Sequence, residues 1–189
     1  MIQCPRLKRC FTKPSTVAYK RSKNIRDILV RAKFSLKRRP TRFSPGYRKC
    51  TRNILCVTCM HSDLGPGEKA AHHKCQKTGQ EWNISGDIDC QTSNVVYKLT
   101  CKKCPEWVYI GETGKRFCER LTQHRGYITG NKDQPAGRHF NSPGHQLSDM
   151  VAIAFEKVRP SNEPMIRKQR EKYWIQQYDA VCHGANTRY

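Results

Sequence analysis

The order of apolar patterns in these 189 residues predicts an α+β fold: a small antiparallel sheet with flanking helices, preceded by a basic, cysteine-rich, core-poor extension. Three observations carry that expectation. Alternating apolar strands and amphipathic helical stretches are concentrated after Asn94. Cysteine, histidine, glycine and lysine dominate residues 50–90, where apolar residues are few. Residues 1–49 hold sixteen Lys or Arg against one acid, Asp27.

Taken in order, the first segment (1–49) reads as a basic arm, the remnant of a preceding domain. Its one periodic stretch, at Ile25, Ile28, Leu29 and Ala32, predicts a short helix from Asn24 to about Phe34. The second segment (50–93) reads as a linker or zinc knuckle, with Gly65-Pro66-Gly67 marking a loop. The third (94–189) holds the predicted core. NVVYKL (94–99) and WVYIG (107–111) predict two strands joined by a turn around Cys101 to Glu106, a hairpin. A helix from about Lys115 to Ile128 places Phe117, Leu121 and Ile128 on its buried side, VAIAFE (151–156) supplies a third strand, and a second helix runs from about Pro164 to Tyr178.

Lys and Arg total 36 against 15 Asp and Glu, a formal charge of +21. Such an excess implies a polyanionic partner, because without counter-charge it would repel itself. A merely solvated basic face is the plainer alternative. An anionic membrane surface is disfavoured, since no long basic amphipathic helix is evident. No apolar run approaches a membrane span, and MIQCPRLKRC has no apolar signal-peptide core. The expectation is an intracellular, reducing location, in which the 11 cysteines read as metal ligands or packing residues before disulfides. Lys37-Arg38-Arg39-Pro40 further suggests nuclear import.

Hydrolysis of a phosphodiester needs a positioned water, a cation where charge develops and usually a metal held by a carboxylate. Arg120 and His124, four residues apart, share a helix face and can act on one phosphate. Glu171 sits in REKYWI beside the packing residues Tyr173, Trp174 and Ile175; its alternative reading is a simple pair with Arg167 one turn earlier. Tyr97 and Tyr109 alone would read as half-buried strand residues.

The segment VYIGETGKRFCERLTQHR, with Tyr109-Ile110-Gly111, Arg120 and His124, together with REKYWI, resembles the GIY-YIG nuclease superfamily. NVVYKLTCKKC, HFNSPGH and SKNIRDILVRAKF are similar to the C-terminal end of Penelope-like retroelements. The resemblance implies a metal-dependent DNA endonuclease. Tyr97 and Tyr109 would line its active site, with Tyr97 as general base. Arg120 would hold the scissile phosphate, Glu171 would bind Mg²⁺ or Mn²⁺, and His124 would assist proton transfer or touch phosphate. Gly111, Lys115, Arg116, Arg125 and Asn186 complete the expected substrate-binding set. One departure is plain: the first motif reads Val95-Val96-Tyr97 and lacks its glycine, although it keeps the tyrosine.

One or two structural zinc sites are expected. Cys101-x-x-Cys104 in the hairpin turn is a sound half-site, and His139 and His145 around a Pro-Gly turn are its best complement, with free thiols and surface histidines as the alternative. His139 also falls near the place of an active-site histidine in related nucleases. Cys50, Cys56 and Cys59 need a fourth ligand, for which Cys90, Cys75 and His61 compete, Cys90 completing the favoured set.

The leading expectation is therefore an enzyme that nicks DNA in support of retroelement integration, with RNA and a reverse-transcriptase domain of a longer product as further partners. The alternatives are a catalytically inert zinc-containing nucleic-acid-binding module and a repair or recombination nuclease on branched DNA.

Overall fold

The run Val95–Leu99, apolar but for Lys98, folds as a buried strand because both of its faces are covered, and the Lys98 ammonium donates to the Lys74 carbonyl at 2.7 Å. The computed structural model describes residues 44–50, 56–159, 163–182 and 185–187. The predicted helix at Asn24–Phe34 lies outside the described residues.

The described elements are, in chain order, β1 (Gly46–Arg48), α1 (Val57–Met60), β2 (Lys69–Ala70), β3 (His72–Lys74), β4 (Glu81–Asn83), β5 (Asp87–Ile88), β6 (Ser93–Cys101), β7 (Val108–Arg116), α2 (Phe117–Thr129), α3 (Pro135–Phe140), β8 (Met150–Lys157) and α4 (Pro164–Gln177). The central sheet is antiparallel, in the order β7-β6-β8. This is the expected hairpin, third strand and pair of long helices; β7 runs on to Arg116, five residues beyond the predicted end at Gly111. α3, a single turn begun by Pro135 at its first position, is additional.

Register places Tyr97 between Gly111 of β7 and Ala154 of β8. Small neighbours on both sides leave space for the phenol ring. A Cβ at Gly111 would stand 2.5 Å from the Tyr97 hydroxyl oxygen, so that position excludes any side chain. Two irregularities adjust the strands: one at Asn94, whose φ of 57° is tolerated by asparagine, and one in β6–β8 pairing between Val96 and Tyr97.

The described residues between 44 and 90 form two small sheets, β2-β1-β5 and β3-β4, within the same compact unit as the central sheet. Tyr47, Ile84 and Ile88 from this segment are completely or almost completely buried in the shared core and Trp82 packs against it, whereas Val57 and Met60 on α1 are exposed. Ser85 makes a parallel bridge to Glu156 on the free edge of β8, with Ser85 N–H donating to Phe155 carbonyl and Lys157 N–H donating back to Ser85 carbonyl. The predicted linker is therefore built onto the sheet. Runs of two or three residues are too short to show a strand period, which is why the sequence pattern misses them.

Beneath α4, His73, Trp82, Phe155, Trp174 and Tyr178 pack ring against ring. On α4, Glu171, Trp174, Ile175 and Tyr178 fall at helical spacing on one face, so the packing that buries the aromatics also turns Glu171 inward. Glu156 fixes the helix from the sheet side, accepting two hydrogen bonds from Arg170 at 2.7 and 3.0 Å and one from the Trp174 indole.

Candidate active site and metal-binding clusters

Tyr97, Arg120 and His124 meet between β6 and α2. The Tyr97 oxygen accepts a hydrogen bond from Arg120 Nε at 2.9 Å and lies 2.7 Å from His124 Nε2. Burial lowers His124 to about 3, and the charge of Arg120 adds to that, so the ring is neutral at physiological pH. A guanidinium can only donate, so with His124 as the Nδ1–H tautomer the phenol's own proton is directed to Nε2, and His124 Nδ1 is buried without a partner among the described residues. Burial pushes Tyr97 well above the ordinary phenol range; Tyr109 adds to the rise and Arg120 opposes it.

α2 is positioned for this contact at its first turn. Phe117 N–H donates to Thr92 carbonyl at 3.0 Å and Cys118 N–H to Cys90 carbonyl at 2.8 Å, so two of the helix's free amides are satisfied by the turn before β6. Arg120 follows within the same turn.

A cleft of about 590 Å³ opens beside this cluster, lined by Tyr109, Arg138, Lys168, Glu171, Lys172 and Asn186 among others. Tyr97 lies behind Tyr109, their ring centroids 6.5 Å apart. Glu171 Oε1 accepts the Glu112 N–H at 3.1 Å. Burial and the nearby Glu112 charge raise the Glu171 carboxyl above its ordinary range, while the Glu112 N–H, Arg120 and Lys168 pull the other way. Arg167, the alternative partner of Glu171, binds Glu112 at 2.8 Å and Asn94 at 2.9 Å. Asn186 joins the same strand, accepting from Ile110 N–H and donating to Ile110 carbonyl at 2.9 and 2.8 Å.

Residues 93–186 match the family model of the GIY-YIG catalytic domain. This segment is a GIY-YIG domain. Among solved structures, the catalytic domain of the homing endonuclease I-TevI is similar at 19% identity, covering 50% of this chain and 97% of that one with a TM-score of 0.42. No curated protein matches the chain.

Within the GIY-YIG domain the remaining expected substrate-binding residues separate. Gly111 is buried under Tyr97 and Tyr109. Lys115 and Arg116 are exposed at the end of β7, Arg116 engaged by Glu119 and Gln91. Arg125 does not line the cleft; it neighbours His61, whose ring burial lowers and the Arg125 charge lowers further. Conversely, Arg138, Lys168 and Lys172 line the cleft and were not singled out by sequence. Lys168 shares the face of Glu171 at i−3 and Lys172 is its chain neighbour, and among so many charges on one helix their place in the cleft is not legible from spacing.

Both expected cysteine clusters assemble. The Sγ atoms of Cys50, Cys56, Cys59 and Cys90 all lie within 4.8 Å of one another, as do one ligand atom each of Cys101, Cys104, His139 and His145. In the first cluster Cys50 and Cys59 are 3.6 Å apart and Cys56 and Cys90 3.7 Å, close to the roughly 3.8 Å that tetrahedral Zn–S bonds impose. All are free thiols. Burial raises Cys59 to about 12, and pushes Cys90 higher still. Cys75 and His61, the competing fourth ligands, stand outside the group.

In the second cluster Cys104 Sγ lies 3.1 Å from His145 Nε2, while His145 Nδ1 is 3.1 Å from Ser142 Oγ, the outer partner a ligating imidazole normally keeps. His139 Nε2 is buried without a hydrogen-bond partner. The position of His139 beside these three groups separates it from the Tyr97–His124 pair.

Proposed function

We propose that this protein is a metal-dependent DNA endonuclease that nicks one strand by hydrolysing a phosphodiester. The reading rests on one observation above the others: the Tyr97–Arg120–His124 hydrogen-bonded cluster stands beside a cationic cleft that Glu171 enters.

Water bound at the scissile phosphate gives a proton to the Tyr97 oxygen as the phenol proton shifts to His124 Nε2, which, held near 3 by burial and Arg120, keeps it only for the passage and returns it. The resulting hydroxide forms a new P–O bond as the bond to the 3′ oxygen breaks, and the leaving 3′ oxygen takes up the proton released by the attacking water, which gives the 3′ hydroxyl and resets the relay. Arg120 keeps its positive charge throughout and stabilises the tyrosine oxygen and the phosphate. Lys168, Lys172 and Arg138 supply phosphate contacts along the cleft. Glu171, a hard oxygen donor partly engaged by one backbone N–H, fits Mg²⁺ or Mn²⁺. Such a cation supplies charge stabilisation at the phosphoryl oxygens when bound. The two cysteine clusters fit structural zinc by donor type and spacing.

A strand nicked in this way ends in a 3′ hydroxyl, which a reverse-transcriptase domain could extend. The retroelement role is supported by the resemblance of SKNIRDILVRAKF and HFNSPGH, and nuclear action by the basic run at Lys37-Arg38-Arg39-Pro40.

Plasmid nicking by purified protein tests the reading. Supercoiled DNA should become open-circular with Mg²⁺ or Mn²⁺, and neither Glu171→Gln nor Arg120→Ala should do so. Tight plasmid binding with no nicking under either metal would leave the protein a binding module.

A further inference from the structure

Beyond the cleft that holds Tyr109 and Glu171, a second hollow of about 470 Å³ continues the groove. The two share Pro135, Arg138, Ala185, Asn186 and Thr187 along a common wall, so a strand lying in one runs into the other. The outer hollow adds two rings. Trp107 and His139 stack with centroids 4.2 Å apart and planes 13° from parallel, and Phe140 stands edge-on against both.

The chemistry of this wall differs from that of the inner cleft. No carboxylate lines the outer hollow, whereas the inner one contains Glu171 and Asp133. Trp107 and His139 are both half-buried, flat and held by packing, which makes a rigid aromatic surface at the edge of an open groove. Arg138, on the shared wall, pairs with Asp133, and both side chains are largely exposed at 55% and 83%. Such a pair is weak, so the guanidinium can exchange to a phosphate.

A rigid aromatic beside an exposed, loosely paired cation, with no carboxylate lining the hollow, is the arrangement that receives a nucleobase and its phosphate without regard to sequence. A base inside a duplex already has both faces covered, so only an unpaired or extruded base can use it.

We infer that the outer hollow is a nucleotide subsite: an unpaired base next to the scissile phosphate stacks on the Trp107–His139 pair while Arg138 holds the intervening phosphate. The inference rests on the endonuclease reading and deepens it. The preferred substrate is DNA with unpaired nucleotides beside the cut, as in a bubble or a flap junction.

Binding measured without cleavage separates the two proposals. The full chain carrying Glu171→Gln is titrated with fluorescently labelled duplex, the same duplex with a central bubble, and the bubble with abasic residues in place of its bases. The bubble should bind about tenfold more tightly than the duplex, and abasic residues should erase the gain. Adding Trp107→Ala should reduce the bubble to the duplex level, and Trp107→Phe should restore most of the difference. Arg138→Ala should weaken binding to the base-containing and abasic bubbles alike. Equal affinity for duplex, bubble and abasic bubble in the Trp107-containing protein overturns the subsite, and that comparison does not depend on any variant at Trp107 folding. Base-dependent bubble binding by a protein that never nicks plasmid leaves the subsite standing and removes the endonuclease. Nicking with indifference to unpaired bases does the reverse.

Discussion

Arg120 reaches the oxygen of a completely buried tyrosine, Tyr97, across 2.9 Å, and so fixes which way the phenol proton points. With Arg120 occupying one lone pair, His124 Nε2 at 2.7 Å becomes the acceptor. Tyr97→Phe keeps the ring packing and removes the proton path. Its nicking rate should fall by at least about 10²-fold with DNA affinity unchanged. Single-turnover nicking alongside a binding titration checks this, and a Tyr97→Phe protein that nicks normally would remove Tyr97 from the mechanism. His124→Ala should give a comparable loss.

Gly111 is excluded from carrying a side chain by sterics. Gly111→Ala places Cβ 2.5 Å from the Tyr97 oxygen and 3.0 Å from a ring carbon of Tyr109, within a buried layer. Overpacking of this kind costs about 1–3 kcal/mol. Urea denaturation should show that loss of stability, and nicking should fall further than stability alone explains, because the displaced phenol leaves Arg120 and His124.

Two zinc ions per chain are expected by elemental analysis of protein purified without chelator. Cys90→Ser should reduce the count to one and Cys104→Ser should do likewise, each independently of the other. Cys75→Ser should leave both, since its thiol stands outside the clusters. Retention of two zinc ions in Cys90→Ser would return the fourth ligand to Cys75 or His61.

Acid should unfold the protein earlier than its carboxylates alone require. Burial, with the nearby charge of Lys98, lowers His73 to about 3, and His124 is lowered to about 3 by burial and Arg120. Each is a base whose folded value lies below its unfolded value near 6.5. The unfolded chain therefore takes up protons that the folded chain refuses. Stability is complete above about pH 6.5 and falls as pH drops toward about 3, by up to about 1.4 kcal/mol per pH unit for each ring. His73→Phe should flatten that slope by one ring's share; denaturation midpoints at pH 7, 6 and 5 read it. An unchanged slope would place the acid sensitivity elsewhere.

Periodicity sufficed for the five elements of the central fold, because strands of eight or nine residues and helices of thirteen or fourteen repeat their pattern often enough to be read. Tyr97, Arg120, His124 and Glu171 could be grouped from motif order, and i,i+4 spacing put Arg120 beside His124. Arg167 shows the limit of the same rule: one turn before Glu171 it reads as that residue's partner, yet it reaches across to Glu112 on β7. Ion-pair choice between elements is set by tertiary distance, which helical spacing does not contain. Trp107 and Arg138 were illegible for the same reason, being 31 positions apart in sequence and neighbours only through the turn that brings α3 against the hairpin.

The bridge from Ser85 to β8 has a consequence for modularity. The region matched by the family begins at residue 93, but the folded body reaches back at least to Gly46. Cutting at the homology boundary would remove Tyr47, Ile84 and Ile88 from the interior, bare the outer strand of the sheet to pairing with another chain, and take away the Cys90 carbonyl that caps the catalytic helix. The portable piece of this domain is larger than its recognisable piece, so a graft or truncation planned on family resemblance alone would yield an aggregating sheet in place of a folded domain.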